Sequence, residues 1–306
     1  MEKTVAPVIL FVYNRPIHTQ KTLEALGANK LATSTDLIIF SDGNKGESDA
    51  KGVELTRQLF EKEYPFKSVV LHKSAKNKGL AKSIIDGVTQ VLTEYPRAIV
   101  LEDDLITTSG FLTYMNQALE YYDNSAVYSI SGYTPPIEIP KDYEHSTFVT
   151  QRICSWGWAT WKNRWMEVKW SIENFDQFYS DAKAIKRFNV MGNDVSPMLF
   201  KYQQGQISSW AIRFAYHAFI SGGVAIYPTH SLVSNLGTDG SGTHMRASQK
   251  YSVKTTEFID PEKFCDPLIK NELIIQRFRG FYNTSLLRLS INSFKRWLYL
   301  LTHNKH

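Results

Sequence analysis

The sequence predicts an α/β fold, a mixed, mainly parallel sheet flanked by helices with a helical tail after it, and three observations predict it. Four short apolar runs alternate with helix-length segments over the first 125 residues, the order that gives a parallel sheet with right-handed crossovers. Each run ends in, or leads to, a cluster of polar side chains. The length of 306 residues suits one large α/β unit with elaborations and buries a real core.

In order, "PVILFVYN" reads as the first strand, and "IHTQKTLEALGAN" as a helix with Leu23 and Leu26 on one face, ending near Gly27. "TDLIIFSDGN" is the second strand, broken at Asp42-Gly43, with a polar helix expected over 53–63. "KSVVLHKS" is the third strand, and "GLAKSIIDGVTQVLTEY" a helix with Ile84, Val88, Val91 and Tyr95 on one side. "RAIVLEDD" is the fourth strand, before the helix "SGFLTYMNQALEYY". Further on, "ISSWAIRFAYHAFISGGVAIYP" reads as a polar turn, a helix and a strand. The chain divides into 1–125, 126–250 and 251–306, two halves of one domain and a C-terminal extension.

Composition excludes several classes. Charged residues make up 21% and aromatics 13%, so no long stretch reads as disordered. Cys154 and Cys265 match no CxxC spacing, which argues against a zinc site or disulfide framework and suits the cytoplasm. The opening apolar run is too short for a signal peptide and stops at Asn14-Arg15-Pro16. A net charge of +5 is mild, and no nucleic-acid partner is expected. No GxGxxG follows the first strand and no GxxxxGK[ST] occurs anywhere, so a dinucleotide oxidoreductase and a P-loop NTPase both lack their main signature.

The stretch "IVLEDDLITTSGF" carries the strongest chemistry. Glu102, Asp103 and Asp104 stand side by side at the end of an apolar strand, where adjacent acids stay uncomfortable unless a cation or several donors compensate them. Taken alone, the triplet reads equally as a metal site or as a solvated loop capping the next helix. The other strand ends favour the metal. Tyr13-Asn14-Arg15, Ser41-Asp42-Gly43 and Asn77-Lys78-Gly79 fall at the same carboxyl pole, where α/β sheets bind ligands.

With "LEDD", "SDG", "SWGWATW", "SWAIRF" and "NLGTDGSGTH" in this order, the chain resembles glycosyltransferases of the GT-A fold over about residues 5–245. It is most similar to bacterial family-2-type sugar transferases and, more distantly, to the N-acetylglucosaminyltransferase I group, where Glu-Asp-Asp fills the DxD role. The resemblance implies a nucleotide-sugar donor, usually a UDP-sugar, and Mn2+ or Mg2+ between acids and diphosphate. By position, Asp104 would ligate the metal and Glu102 and Asp103 would hold ribose, base or coordinated water. Asp42 would contact the base, while Tyr13, Asn14, Arg15, Asn77, Gly79 and Lys82 would line the donor pocket. His244 would complete the metal's coordination. A hard divalent ion bridging carboxylate and phosphate fits this chemistry, and it neutralises a departing diphosphate.

The second half is expected to hold the acceptor. "RICSWGWATWKNRW" contains four tryptophans; Trp156 and Trp158 are candidate faces for sugar rings, with Trp161 and Trp165 expected in the core. Trp210 and Arg213 are further acceptor candidates, with a structural pairing for Arg213 equally open. An inverting transferase needs a carboxylate base. The resemblance implies an acid just before the "SW" pair, but Ser208 stands there, leaving Asp239 and, second, Asp194 as candidates.

The tail from Gln276 carries Arg277, Arg279, Arg288, Lys295, Arg296 and Lys305 and no acid. Leu287, Ile291, Phe294, Leu298 and Leu301 repeat at helical spacing. A basic amphipathic helix suits an anionic membrane surface; a helix packed on the body fits equally. The expected function is a cytoplasmic, metal-dependent glycosyltransferase in bacterial surface polysaccharide synthesis, acting on a glycan or lipid-linked saccharide. The alternatives are a sugar nucleotidyltransferase, disfavoured because "VYNRPIHTQ" lacks glycines, and an inactive transferase-like glycan-binding subunit, which Ser208 would favour.

Overall fold

The computed structural model describes residues 5–239 and 248–303. Its strands are β1 (Val8–Val12), β2 (Asp36–Ser41), β3 (Ser68–Lys73), β4 (Arg97–Glu102), β5 (Leu105–Thr107), β6 (Val127–Ser131), β7 (Thr147–Thr150), β8 (Trp158–Trp161), β9 (Val224–Pro228) and β10 (Val233–Asn235). Eight form one sheet in the order β3-β2-β1-β4-β8-β6-β9-β7, and β5 and β10 form a separate two-stranded ladder. β1 to β4 are parallel. β8 runs antiparallel between β4 and β6, so β6 and its parallel neighbour β9 point the same way as β1. The sheet is thus mixed and mainly parallel, as the alternation of runs and helices predicts.

β1 is buried from end to end, and the period of two sends its side chains into two cores. Val8, Leu10 and Val12 join Leu23, Leu26, Phe111 and Met115 on one face. Ile9 and Phe11 join Ile84 and Val88 of the helix Leu80–Glu94 on the other. Each such side chain contributes about 1.5–3 kcal/mol when fully buried. β3 is an edge strand with Val69 and Val70 exposed.

Two expectations about elements change. The helix after β2 spans Glu47–Gln58 instead of 53–63. Asp49 on its first turn accepts from the backbone N–H of Lys45 (3.1 Å) and Gly46 (3.0 Å), which starts the helix earlier than apolar spacing shows. The tryptophan-rich segment is a central strand, not a surface wall. Trp158 and Trp161 are buried on β8, and Trp158 stacks on Trp210 of the helix Trp210–Ile220 with centroids 4.6 Å apart.

A third cluster, with Phe175, Phe178, Tyr179, Phe188, Leu199 and Tyr216 at its centre, supports the last helix, Leu286–His303. Arg296 donates to the carbonyls of Tyr179 (2.9 Å) and Ser180 (3.1 Å), and Tyr299 donates to Asp176. The opposite face stays open, with Leu287 73% and Phe294 58% exposed. Among the described residues no helix is long and apolar enough to cross a membrane.

Candidate functional site

Strand order creates the site. From β1 the chain steps outward to β2 and β3, then returns to place β4 on β1's other side, so the ends of β1 and β4 flank the point where the order reverses. Such a crevice admits ligands beyond the strands' carboxyl ends. Phe11 pairs with Glu102, so Tyr13 to Arg15 and Glu102 to Asp104 leave the sheet together.

One guanidinium joins them. Arg15 Nη2 donates to Asp103 Oδ1 and, at 2.8 Å, to Asp104 Oδ2. Arg15 Nη1 is enclosed and has no hydrogen-bond partner. The backbone N–H of Tyr13 reaches Asp103 Oδ2 at 3.3 Å, and Thr22 Oγ1 donates to the Asp103 carbonyl at 3.0 Å. Burial pushes Asp103 up to about 6 despite Arg15. Burial, followed by the charges of Asp104 and Asp103, pushes Glu102 up to about 8. Asp103 and Asp104 therefore share the Arg15 guanidinium, beside a Glu102 whose burial favours its neutral form.

The residues after β10 meet Asp104. β10 pairs antiparallel with β5, Asn235 opposite Leu105, and Leu236 N–H donates to the Asp104 carbonyl at 2.8 Å. Gly237 lies so close that a Cβ there would stand 2.2 Å from Asp104 Oδ2, so a larger residue at this point would push the Asp104 carboxylate aside. Asp239 ends the short 3-10 turn that follows, and its side chain is outside what is described. His244 also lies outside the described residues.

Asp42 is fully occupied. It accepts from the backbone N–H of Gly43 (2.9 Å), Lys78 (2.9 and 3.1 Å) and Gly79 (2.9 Å), while Asn77 Nδ2 donates to the Gly43 carbonyl at 2.7 Å. Asp42 therefore shapes the crevice by pinning the 77–79 turn, where Gly79 takes φ +77°. Asn14 is half-buried at the end of β1. Tyr13 donates its hydroxyl to Asp49. Lys82 pairs with Asp86 (3.1 Å) on an exposed helical face.

On the acceptor side the expectations separate. Trp156 is half-buried, edge-on to Tyr133 and Tyr251, and precedes the Trp158–Val100 pair by two residues, which sets it at the acids' end of the sheet. Trp158 and Trp210 are buried against each other and present no ring to an acceptor. Arg213 is spent within its own helical layer. It donates to the carbonyls of Ser209 (2.9 Å) and Trp170 (3.3 Å) and lies over the Tyr202 ring. Asp194 meets Arg152 in a two-pronged pair, both bonds 2.8 Å; with both oxygens engaged it is a poor base. Ser209 caps the following helix, accepting from Ile212 N–H at 3.4 Å.

Sequence reasoning missed Thr22 and His18. Both lie on the helix Pro16–Gly27, and His18 lowers Asp103's proton affinity by its charge. The signal was the spacing of Arg15, His18 and Thr22, which puts successive turns over the end of β4.

The residues fit a divalent cation of the hard, oxygen-seeking kind. Among the described residues no group of three or more His, Cys, Asp or Glu side chains is placed to hold a metal ion by itself. A magnesium-like ion needs only one or two carboxylates when substrate phosphates and waters supply the rest. Asp104, with Asp103 beside it, meets that need.

No protein-family model matches the chain, and no curated protein sequence matches it. Among solved structures, the chain is similar to a mannosyltransferase from Pyrobaculum calidifontis in complex with GDP-Man and Mn2+, at 10% identity over 51% of this chain and 45% of that one, TM-score 0.35. It is also similar to TarS from S. aureus, at 9% identity over 74% of this chain and 36% of that one, TM-score 0.41. The chain spans less than half the length of either. These likenesses are too distant to carry the chemistry, which rests on the site itself.

Proposed function

We propose that the protein is a metal-dependent glycosyltransferase that moves a sugar from a nucleotide sugar, a UDP-sugar, to a saccharide or lipid-linked saccharide acceptor with inversion. The observation that carries this reading is the cluster at the β1–β4 switch point: three carboxylates, one guanidinium with an unused donor, and Gly237 packed close to Asp104. A crevice of this make-up suits a diphosphate that arrives with a divalent ion.

Asp104, assisted by Asp103, would hold Mn2+ or Mg2+, which when bound neutralises the charge growing on the leaving diphosphate. Arg15 Nη1 is the donor for a phosphate oxygen. The 77–79 turn pinned by Asp42 walls the nucleoside, with Asn14 and Tyr13 on its other side. Trp156 offers its ring to the acceptor, and Asp239 takes the acceptor hydroxyl's proton. Asp194 is left out of this role because Arg152 holds it. The open apolar face of the last helix, flanked by Arg288 and Lys295 and no acid, would rest on an anionic membrane at the cytoplasmic side, where a lipid-linked acceptor of surface polysaccharide synthesis would be presented. The experiment is thermal unfolding with nucleoside diphosphates, each with and without Mn2+.

A further inference from the structure

The Arg15 side chain makes a contact that a simple donor-binding role does not require. It sits on the acids that would hold the metal: Nη2 bonds Asp103 and also Asp104 Oδ2 at 2.8 Å. The same Oδ2 is hemmed in by Gly237. A guanidinium stays charged at every accessible pH, so it leaves only when something outbids the carboxylates. Nη1, meanwhile, is enclosed without an acceptor, and an unpaired enclosed donor is costly unless a ligand completes it.

We propose that Arg15 is the built-in counter-cation of the acid pair, which excludes a divalent ion from the ligand-free protein and cedes Asp104 when a nucleoside diphosphate arrives. The inference rests on the reading of the acids as a metal and diphosphate site. Two cations on one carboxylate repel each other, so in the ligand-free protein guanidinium and metal compete. A diphosphate brings the extra negative charge that lets both remain. Nη1 then turns to a phosphate oxygen and Asp104 turns to the metal. Arg15 is thus a positioning residue that makes metal and nucleotide depend on each other, and by linkage the dependence is reciprocal. It keeps a free divalent ion from settling in the crevice without a donor.

The test is Mn2+ titration of the full chain, followed by the electron paramagnetic resonance signal of free Mn2+, for wild type and Arg15→Met, with and without UDP. Arg15→Met is expected to bind Mn2+ alone about tenfold or more tightly than wild type, the scale of coupling between linked ligands. UDP should strengthen Mn2+ binding strongly in wild type and much less in the variant. Should Arg15→Met fail to fold by circular dichroism, Arg15→Gln, which keeps a hydrogen bond without the charge, carries the same expectation. If the neutral variant binds Mn2+ alone no more tightly than wild type, while UDP and Mn2+ still bind together, the counter-cation role is wrong and the transferase reading stands. If neither protein binds Mn2+ with or without UDP, both are wrong.

Discussion

Replacing Asp194 with alanine separates a structural acid from a catalytic one. Asp194 meets Arg152 through two 2.8 Å bonds, with the two side chains only 21% and 14% exposed, and the guanidinium lies 3.7 Å from the centre of the Tyr282 ring. Removing the carboxylate strands a charge among aromatic groups. Breaking one side of a buried pair costs about 3–5 kcal/mol, a large part of the roughly 5–15 kcal/mol that holds a protein folded. Urea unfolding followed by tryptophan fluorescence reads this directly, because the buried Trp158, Trp161, Trp165 and Trp210 report on the core. The midpoint should fall with an unchanged slope. Asp194→Asn, which keeps neutral acceptor and donor groups in place, should lose about half as much. An Asp194→Ala protein of wild-type stability that no longer transfers sugar would refute this reasoning and restore Asp194 as the base.

Two further outcomes follow from the same geometry. Glu102 is raised from 4.5 to about 8 in the fold, so the folded state holds this proton more tightly than the unfolded chain. Its stabilising contribution is complete below pH 4.5 and is lost as pH rises through 8; Glu102→Gln should flatten the stability profile over that window and exceed wild type by about 1 kcal/mol or more at pH 8, measured by unfolding at a series of pH values. The last helix should co-sediment with vesicles containing phosphatidylglycerol and not with neutral ones; added salt should weaken it, and Ile291→Glu with Phe294→Glu should abolish it.

The four strand–helix units and their polar ends are legible in the sequence because each rests on local periodicity and on chain breaks such as Asp42-Gly43 and Pro16. What stayed hidden depends on distant partners. β8 is four residues long, and nothing within "WATW" tells a strand slotted between β4 and β6 from an aromatic surface, so Trp158 read as an acceptor wall when it packs on Trp210, 52 positions away. The β5–β10 ladder has strands of three residues, too short for a period to register, yet it is what brings Gly237 onto Asp104. Asp194 and Arg152 are 42 positions apart, and their pairing turns a candidate base into a brace. Asp104 and Arg15 were both named from the sequence as site residues; their contact with each other was not.

The measurement that bears most directly on the central claim is thermal unfolding of the wild-type chain with a panel of nucleoside diphosphates, each with and without Mn2+, beside Asp104→Asn. A ligand that binds only the folded state raises its stability in proportion to RT ln(1 + [L]/Kd). The account predicts that UDP stabilises the wild type when Mn2+ is present, far less without it, and that Asp104→Asn loses the metal-dependent part. Equal melting of wild type under every nucleotide and metal condition would contradict it.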